Sequence, residues 1–198
     1  MAVVIKGSGT VEGISVGGLP DGIVDADMLG ALSVTTGKIA ANAVTYPKRG
    51  SGAILQVIGN LNTGGGTSTT QTSWTATYIT DTITPVALGS KIAVFLSGMG
   101  GYAASSTQGF ANVTLGRNVN SEGVSYMGDS TNGMAYVYSQ AGASGWWDAN
   151  ISYLDTPTYT AGEAIVYTMY IKCNTNVTTF AIGNGNSHSP IVLMEVAA

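Results

Sequence analysis

From residue 53 onward, apolar positions fall into short runs separated by Gly, Asn, Ser, Thr and Pro. The pattern predicts strands over 53–58, 73–79, 90–97, 110–116, 134–139, 150–154, 163–173, 177–182 and 190–196. Two of these runs, Ile92-Ala93-Val94-Phe95-Leu96 and Ile191-Val192-Leu193-Met194, are apolar at consecutive positions. A strand of that kind needs both faces covered, here by a second sheet and by a neighbouring chain. Many short strands joined by turn-formers predict a mainly β region folded as an antiparallel β-sandwich of jelly-roll type. No helix longer than two turns is expected there.

Upstream the pattern is different. Val3-Val4-Ile5, Thr10-Val11 and Ile14-Ser15-Val16 are short β-type pieces spaced by glycines and closed by the turn cluster Gly17-Gly18-Leu19-Pro20-Asp21-Gly22, which reads as an extended arm. Asp25 is a candidate N-cap for a short helix with Met28, Leu29 and Leu32 on one face, and Thr35 or Thr36 could cap a turn through Lys38-Ile39-Ala40-Ala41. Val34-Thr35-Thr36-Gly37-Lys38 and Val44-Thr45-Tyr46-Pro47-Lys48 are two copies of one pattern, with a looser copy at Ile23-Val24-Asp25-Ala26-Asp27. A repeat of roughly 10–11 residues cannot build a core alone and buries its apolar positions only by stacking on neighbours. Isolated helices shorter than ~12–15 residues are not stable in water. Met28, Leu29, Leu32, Val34, Ile39 and Val44 are therefore expected to pack against the same residues of other chains. A flexible linker over 23–48 is the alternative reading of this composition. The expected organisation is an arm over 1–20, a short-helix intertwined stem over 21–50 and a β-sandwich head over 51–198.

Composition narrows the partners. Of 198 residues 44% are hydrophobic, 28 are glycine and only 9% are charged, against about 25% in ordinary soluble proteins. Surface polarity must come mostly from Thr, Ser, Asn and Gly. Charges balance over 1–50, so the net −4 lies on the remainder, without the cluster of Lys or Arg that phosphates require. Nucleic acid is not an expected partner. The single Cys173 excludes an intrachain disulfide and, within an apolar stretch, reads as a small core hydrophobe. The start Met1-Ala2-Val3-Val4-Ile5-Lys6 lacks the form of a secretion signal, and no apolar run approaches the ~18 residues of a membrane span. Cytosolic synthesis without membrane insertion is expected.

A search for catalytic groups finds little. The one histidine, His188, stands in a Gly/Asn/Ser turn cluster with no second His or Cys for a metal or a nucleophile–base pair. Asp148 and Asp155 could be taken for the carboxylate pair of a glycosidase, but an odd spacing puts them on opposite faces of one strand. Asp155 reads better as the start of an Asp155-Thr156-Pro157 turn. Gly37-Lys38 lacks the upstream glycine of a phosphate loop. No enzyme activity, metal or cofactor is expected. What remains is aromatic: Trp146-Trp147 after a glycine-rich stretch, and Tyr136 and Tyr138 on one face of a strand. Exposed aromatics beside Asn, Asp and Ser suit sugar rings, and the same residues could instead serve the core or an interface. Trp146, Trp147 and His188 are the candidate receptor contacts.

The stem pieces Leu19-Pro20-Asp21-Gly22, Asp25-Ala26-Asp27-Met28-Leu29 and Ser33-Val34-Thr35-Thr36-Gly37-Lys38-Ile39-Ala40-Ala41-Asn42-Ala43-Val44-Thr45 resemble those of bacteriophage fibre and fibre-like virion proteins of marine and cyanobacterial phages. The head is similar to the β domain that follows such stems, at Ile54-Leu55-Gln56-Val57-Ile58, Ile83-Thr84-Pro85, Ser90-Lys91-Ile92-Ala93-Val94, Tyr153-Leu154-Asp155-Thr156-Pro157 and Ile191-Val192-Leu193-Met194-Glu195-Val196. The resemblance covers most of 18–198. It implies a homotrimer in the virion, with chains wound together in the stem, residues 1–20 docked on another virion protein, and heads that attach to a host surface glycan. A trimeric capsid decoration or cement protein is the alternative. Only about 20 residues precede the stem, fewer than the shaft or anchoring domain such fibres usually carry, so the site of attachment on the particle is left open.

Overall fold

A computed structural model describes residues 4–5, 11–12, 29–31, 33–40, 43–45, 48–63, 65–104, 109–174, 177–183 and 188–198. The chain divides into two units, residues 1–45 and residues 46–198. In the first unit, β1 (Val4–Ile5) and β2 (Val11–Glu12) pair antiparallel.

The described residues of the expected stem adopt a tighter repeat than the sequence pattern suggested. Backbone N–H groups of Ser33, Lys38 and Ala43 donate to the carbonyls of Gly30, Thr35 and Ala40, one turn every fifth residue. Bends fall at Leu29, Val34, Ile39 and Val44, again five apart. The capped turn expected at 35–41 is a single 3-10 turn, Thr36–Lys38, and neither Thr35 nor another side chain caps it. Met28, Leu32 and most of the helix expected over 25–32 lie outside the described residues.

The second unit is mainly β. All nine expected strands form, several longer than expected: β3 (Ile54–Thr63), β5 (Thr75–Ile83), β6 (Lys91–Ala104), β7 (Gly109–Val119), β9 (Ala135–Ser139), β10 (Ser144–Asp155), β11 (Ile165–Cys173), β12 (Val177–Ile182) and β13 (His188–Val196). Two three-residue strands, β4 (Thr67–Thr69) and β8 (Val124–Tyr126), were not expected.

Two antiparallel sheets result. In the first, β10 lines one edge of β6 from Ser144 opposite Ala103 to Asp155 opposite Ile92. The other edge of β6 is shared, its first half pairing with β13 and its second with β12. β3 lies outside β13, and β4 outside β12. In the second sheet β11 lies between β5 and β7, whose far edge takes β8 and β9 in turn.

Alternation buries one face of the central strands, β6, β7, β11 and β13 among them, between the sheets. Ile92, Val94, Leu96, Ile191, Leu193 and Phe180 of the first sheet form one core with Ile79, Ile83, Val113, Leu115, Met169 and Ile171 of the second. Cys173 is buried in the same core, and its thiol donates to the carbonyl of Thr69.

Two carboxylates share this phase. Asp155, read from sequence as a turn residue, is instead the last residue of β10 and is buried in step with Ile151 and Tyr153. Its oxygens accept Arg117 Nη1 at 2.9 and 3.0 Å and the Tyr167 hydroxyl at 2.7 Å, which ties β10 to β7 and β11 across the sandwich. Glu195, fully buried on β13, accepts Gln56 Nε2 at 2.7 Å and the backbone N–H groups of Val86 and Ala87 at 2.9–3.1 Å. It thereby fixes the connection between β5 and β6. Both anions are satisfied by several donors, as buried charges must be.

Candidate functional site

The expected stem residues are conspicuous for what does not cover them. Leu29, Val34, Ile39 and Val44 are 47, 52, 45 and 47% exposed. An apolar row at every fifth residue, each side chain about half open, gains little from its own chain.

Alternation separates the tryptophans. Trp146 points outward and is 65% exposed, its ring passing over Gly101, where a Cβ would come within 3.1 Å of it. Trp147 points inward and stacks on Phe180 with ring centroids 5.6 Å apart. Its Nε1 is buried without a hydrogen-bond partner among the described residues and sits where a Cβ on Gly100 would be 2.6 Å away, so only glycine leaves room for the indole. Trp147 is thus a packing residue of the sandwich rather than part of a contact surface. We expect Trp147→Ala to cost about 3–5 kcal/mol in denaturant unfolding. Trp146→Ala should stay within about 0.5 kcal/mol, as exposed substitutions do.

His188 begins β13 opposite Thr63 and is exposed, on a strand end rather than within the loop expected from sequence. Asp148 is exposed on the outer face of β10 while Asp155 is buried on the inner one, so the two carboxylates do not converge. Among the described residues no group of three or more His, Cys, Asp or Glu side chains comes together.

The outer faces of the two sheets differ in chemistry. On the first sheet, Val57, Met194, Ala93 and Leu154 follow one another across four strands, and Val192 and Phe95 are paired in the next row. Val57, Phe95 and Leu154 are exposed, and no charged side chain stands in these rows.

On the second sheet the outer face is aromatic and amidic. Phe110 lies 5.3 Å from the ring of Tyr138 and 5.7 Å from that of Tyr136, the latter edge-to-face. Further along, Tyr126 stacks on Trp74 at 5.8 Å and meets Tyr170 edge-on at 5.1 Å, while Lys172 Nζ sits 4.4 Å over the Trp74 ring.

A loop is pinned beside these rings. Asp129 Oδ1 accepts the N–H groups of Thr131 and Asn132, and Asp129 and Gly133 exchange backbone hydrogen bonds at 2.8 and 2.9 Å. Gly133 has φ +72°, and a Cβ there would come within 2.6 Å of the Val113 carbonyl and 2.7 Å of the Trp74 ring. Glycine is required on both counts.

Sequence reasoning found Tyr136 and Tyr138 but missed Phe110, Asn112 and Asn132. The signal available was the phase of β7: with Ala111, Val113 and Leu115 inward, Phe110 and Asn112 face out. A larger cavity, about 560 Å³, lies elsewhere, between Arg117, Glu122, Tyr159 and Glu163. Two of its charges are committed, since Arg117 pairs with Asp155 and Glu163 accepts the Thr160 N–H at 2.6 Å. No protein-family model matches the chain, and no curated protein matches it.

Proposed function

We propose that the protein is a non-enzymatic phage virion component, a homotrimeric fibre-like appendage whose wound stem carries β-sandwich heads for attachment to a host surface. The observation that carries the reading is the five-residue turn repeat with its half-exposed apolar row, Leu29, Val34, Ile39 and Val44. Around a three-fold axis the same residue of each chain stands at the same height. Every fifth position then becomes a ring of three apolar side chains that cover one another.

The strand order supports a jelly-roll head. Taking β3 with β4 and β12 with β13 as single broken strands, the first layer runs β3/β4, β12/β13, β6, β10, and the second β5, β11, β7, β8/β9. The two uncharged apolar rows on the outer face of the first sheet fit a second copy of the chain. Heads fixed on one stem gain avidity from several weak sites acting together. Residues 1–20 are assigned to docking on another virion protein.

Immunogold electron microscopy of purified particles, with antibody against the head, tests the reading. Label on the tail is the expected result. Label on capsid faces supports a trimeric decoration protein instead, and particles free of label overturn both.

A further inference from the structure

Beside the aromatic edge of the second sheet lies a groove with two lobes. One, about 310 Å³, is lined by Phe110, Asn112, Asn132, Tyr136 and Asn174. The other, about 140 Å³, is also lined by Asn112, Asn132 and Asn174, together with Lys172. The lobes therefore meet at three asparagines, with aromatic rings lining the first and Lys172 lining the second. The first lobe alone reaches the lower end of the size range of small-molecule pockets.

We propose that this groove binds a saccharide, with one pyranose ring on the Tyr136 ring, its hydroxyls on the three amides, and an acidic substituent toward Lys172. A pyranose presents axial C–H bonds on one face and hydroxyls at its rim. It therefore needs a flat aromatic surface below and groups at the edge that both donate and accept. Tyr136 is 62% exposed, and Phe110 supports it edge-on. An amide side chain supplies a donor and an acceptor in one plane, matching the paired character of a sugar hydroxyl.

The site is also built in advance of any ligand. Asn112 is only 2% exposed, and its Nδ2 donates to the Asn132 carbonyl at 3.0 Å, which fixes its amide plane. Asn132 stands on the loop that Asp129 and Gly133 hold in place. The Asn174 N–H donates to the Phe110 carbonyl at 2.8 Å. Groups held before binding lose little entropy when a ligand arrives. The residues lining the two lobes include no carboxylate, so the groove suits retention of a glycan and tolerates a negative charge beside Lys172.

This assignment rests on the attachment reading for its biological purpose only, and it can fail separately. The test is titration of the full-length protein with maltotriose and with trigalacturonic acid, followed through the side-chain amide NMR signals of Asn112, Asn132 and Asn174. Both sugars should shift these signals, and the acidic one should bind more tightly. Tyr136→Ala should weaken both by about tenfold, the loss expected for one aromatic contact, with an unchanged melting temperature because the ring is exposed. Lys172→Gln should remove the preference for the acid and keep neutral binding. Unmoved amide signals with both sugars, or undiminished binding by Tyr136→Ala, would overturn the proposal. A trimer that binds neither sugar loses this groove but keeps the structural reading. A monomer that binds both keeps the groove and loses the stem.

Discussion

Replacing Val34 and Ile39 together by Asp should turn a three-chain particle into single chains while the strand content of residues 46–198 is retained. Each side chain is about half exposed within its own chain, so neither substitution removes much intrachain packing. In a trimer the same change places two rings of three carboxylates on the axis. Like charges brought together away from water repel strongly, and burying even one unpaired carboxylate costs several kcal/mol. Six such groups exceed what short apolar contacts can offset. Sedimentation velocity reads the outcome directly, and a variant that sediments like the parent would place the association surface elsewhere.

The second large effect lies in the Arg117–Asp155–Tyr167 bridge. Arg117→Met leaves the Asp155 carboxylate, 3% exposed, with the Tyr167 hydroxyl as its remaining described partner. Breaking one side of a buried pair costs about 3–5 kcal/mol. Adding Asp155→Asn to Arg117→Met should recover most of that loss, because the amide oxygen still accepts from Tyr167 and no charge is left in the core. Equilibrium unfolding of the single and double variants measures both.

The bridge also sets an alkaline limit. Burial first, and then the bond to Asp155, push the Tyr167 hydroxyl far above its ordinary value of 10.0. A group raised in this way favours the fold fully below the unfolded value, and its contribution is lost as pH rises beyond it. Stability should therefore fall above about pH 10, by at most about 1.4 kcal/mol per pH unit from this group. Tyr167→Phe should flatten that fall.

The head was largely legible in the sequence because alternation and turn residues report strands locally. The strands that escaped, Thr67–Thr69 and Val124–Tyr126, are short and carry little apolar signal against their neighbours. Asp155 was misread because Asp-Thr-Pro is a strong turn signal. The competing cue was its phase with Ala149, Ile151 and Tyr153, which marks an inward position. The same phase places Trp147 inside and Trp146 outside, a distinction that an adjacent pair hides when it is read as one unit.

The stem shows a different failure. Val34-Thr35-Thr36-Gly37-Lys38 and Val44-Thr45-Tyr46-Pro47-Lys48 share enough residues to suggest a spacing of ten, whereas the intervening unit from Ile39 shares only its first, apolar position. The hydrogen bonds reveal that position as the repeat unit, at half the spacing. The groove proposed for a sugar was partly legible: Tyr136 stood out, but the asparagines come from three separate segments and meet only through the pairing of β7 with β9 and β11 and the pinned loop.

The most direct test of the account is the molar mass of the purified protein by light scattering at neutral pH. The account predicts three times the 20.1 kDa of one chain, unchanged on dilution through the micromolar range. A stable species of one chain mass would contradict it, because the apolar row of the stem would then stand uncovered in water.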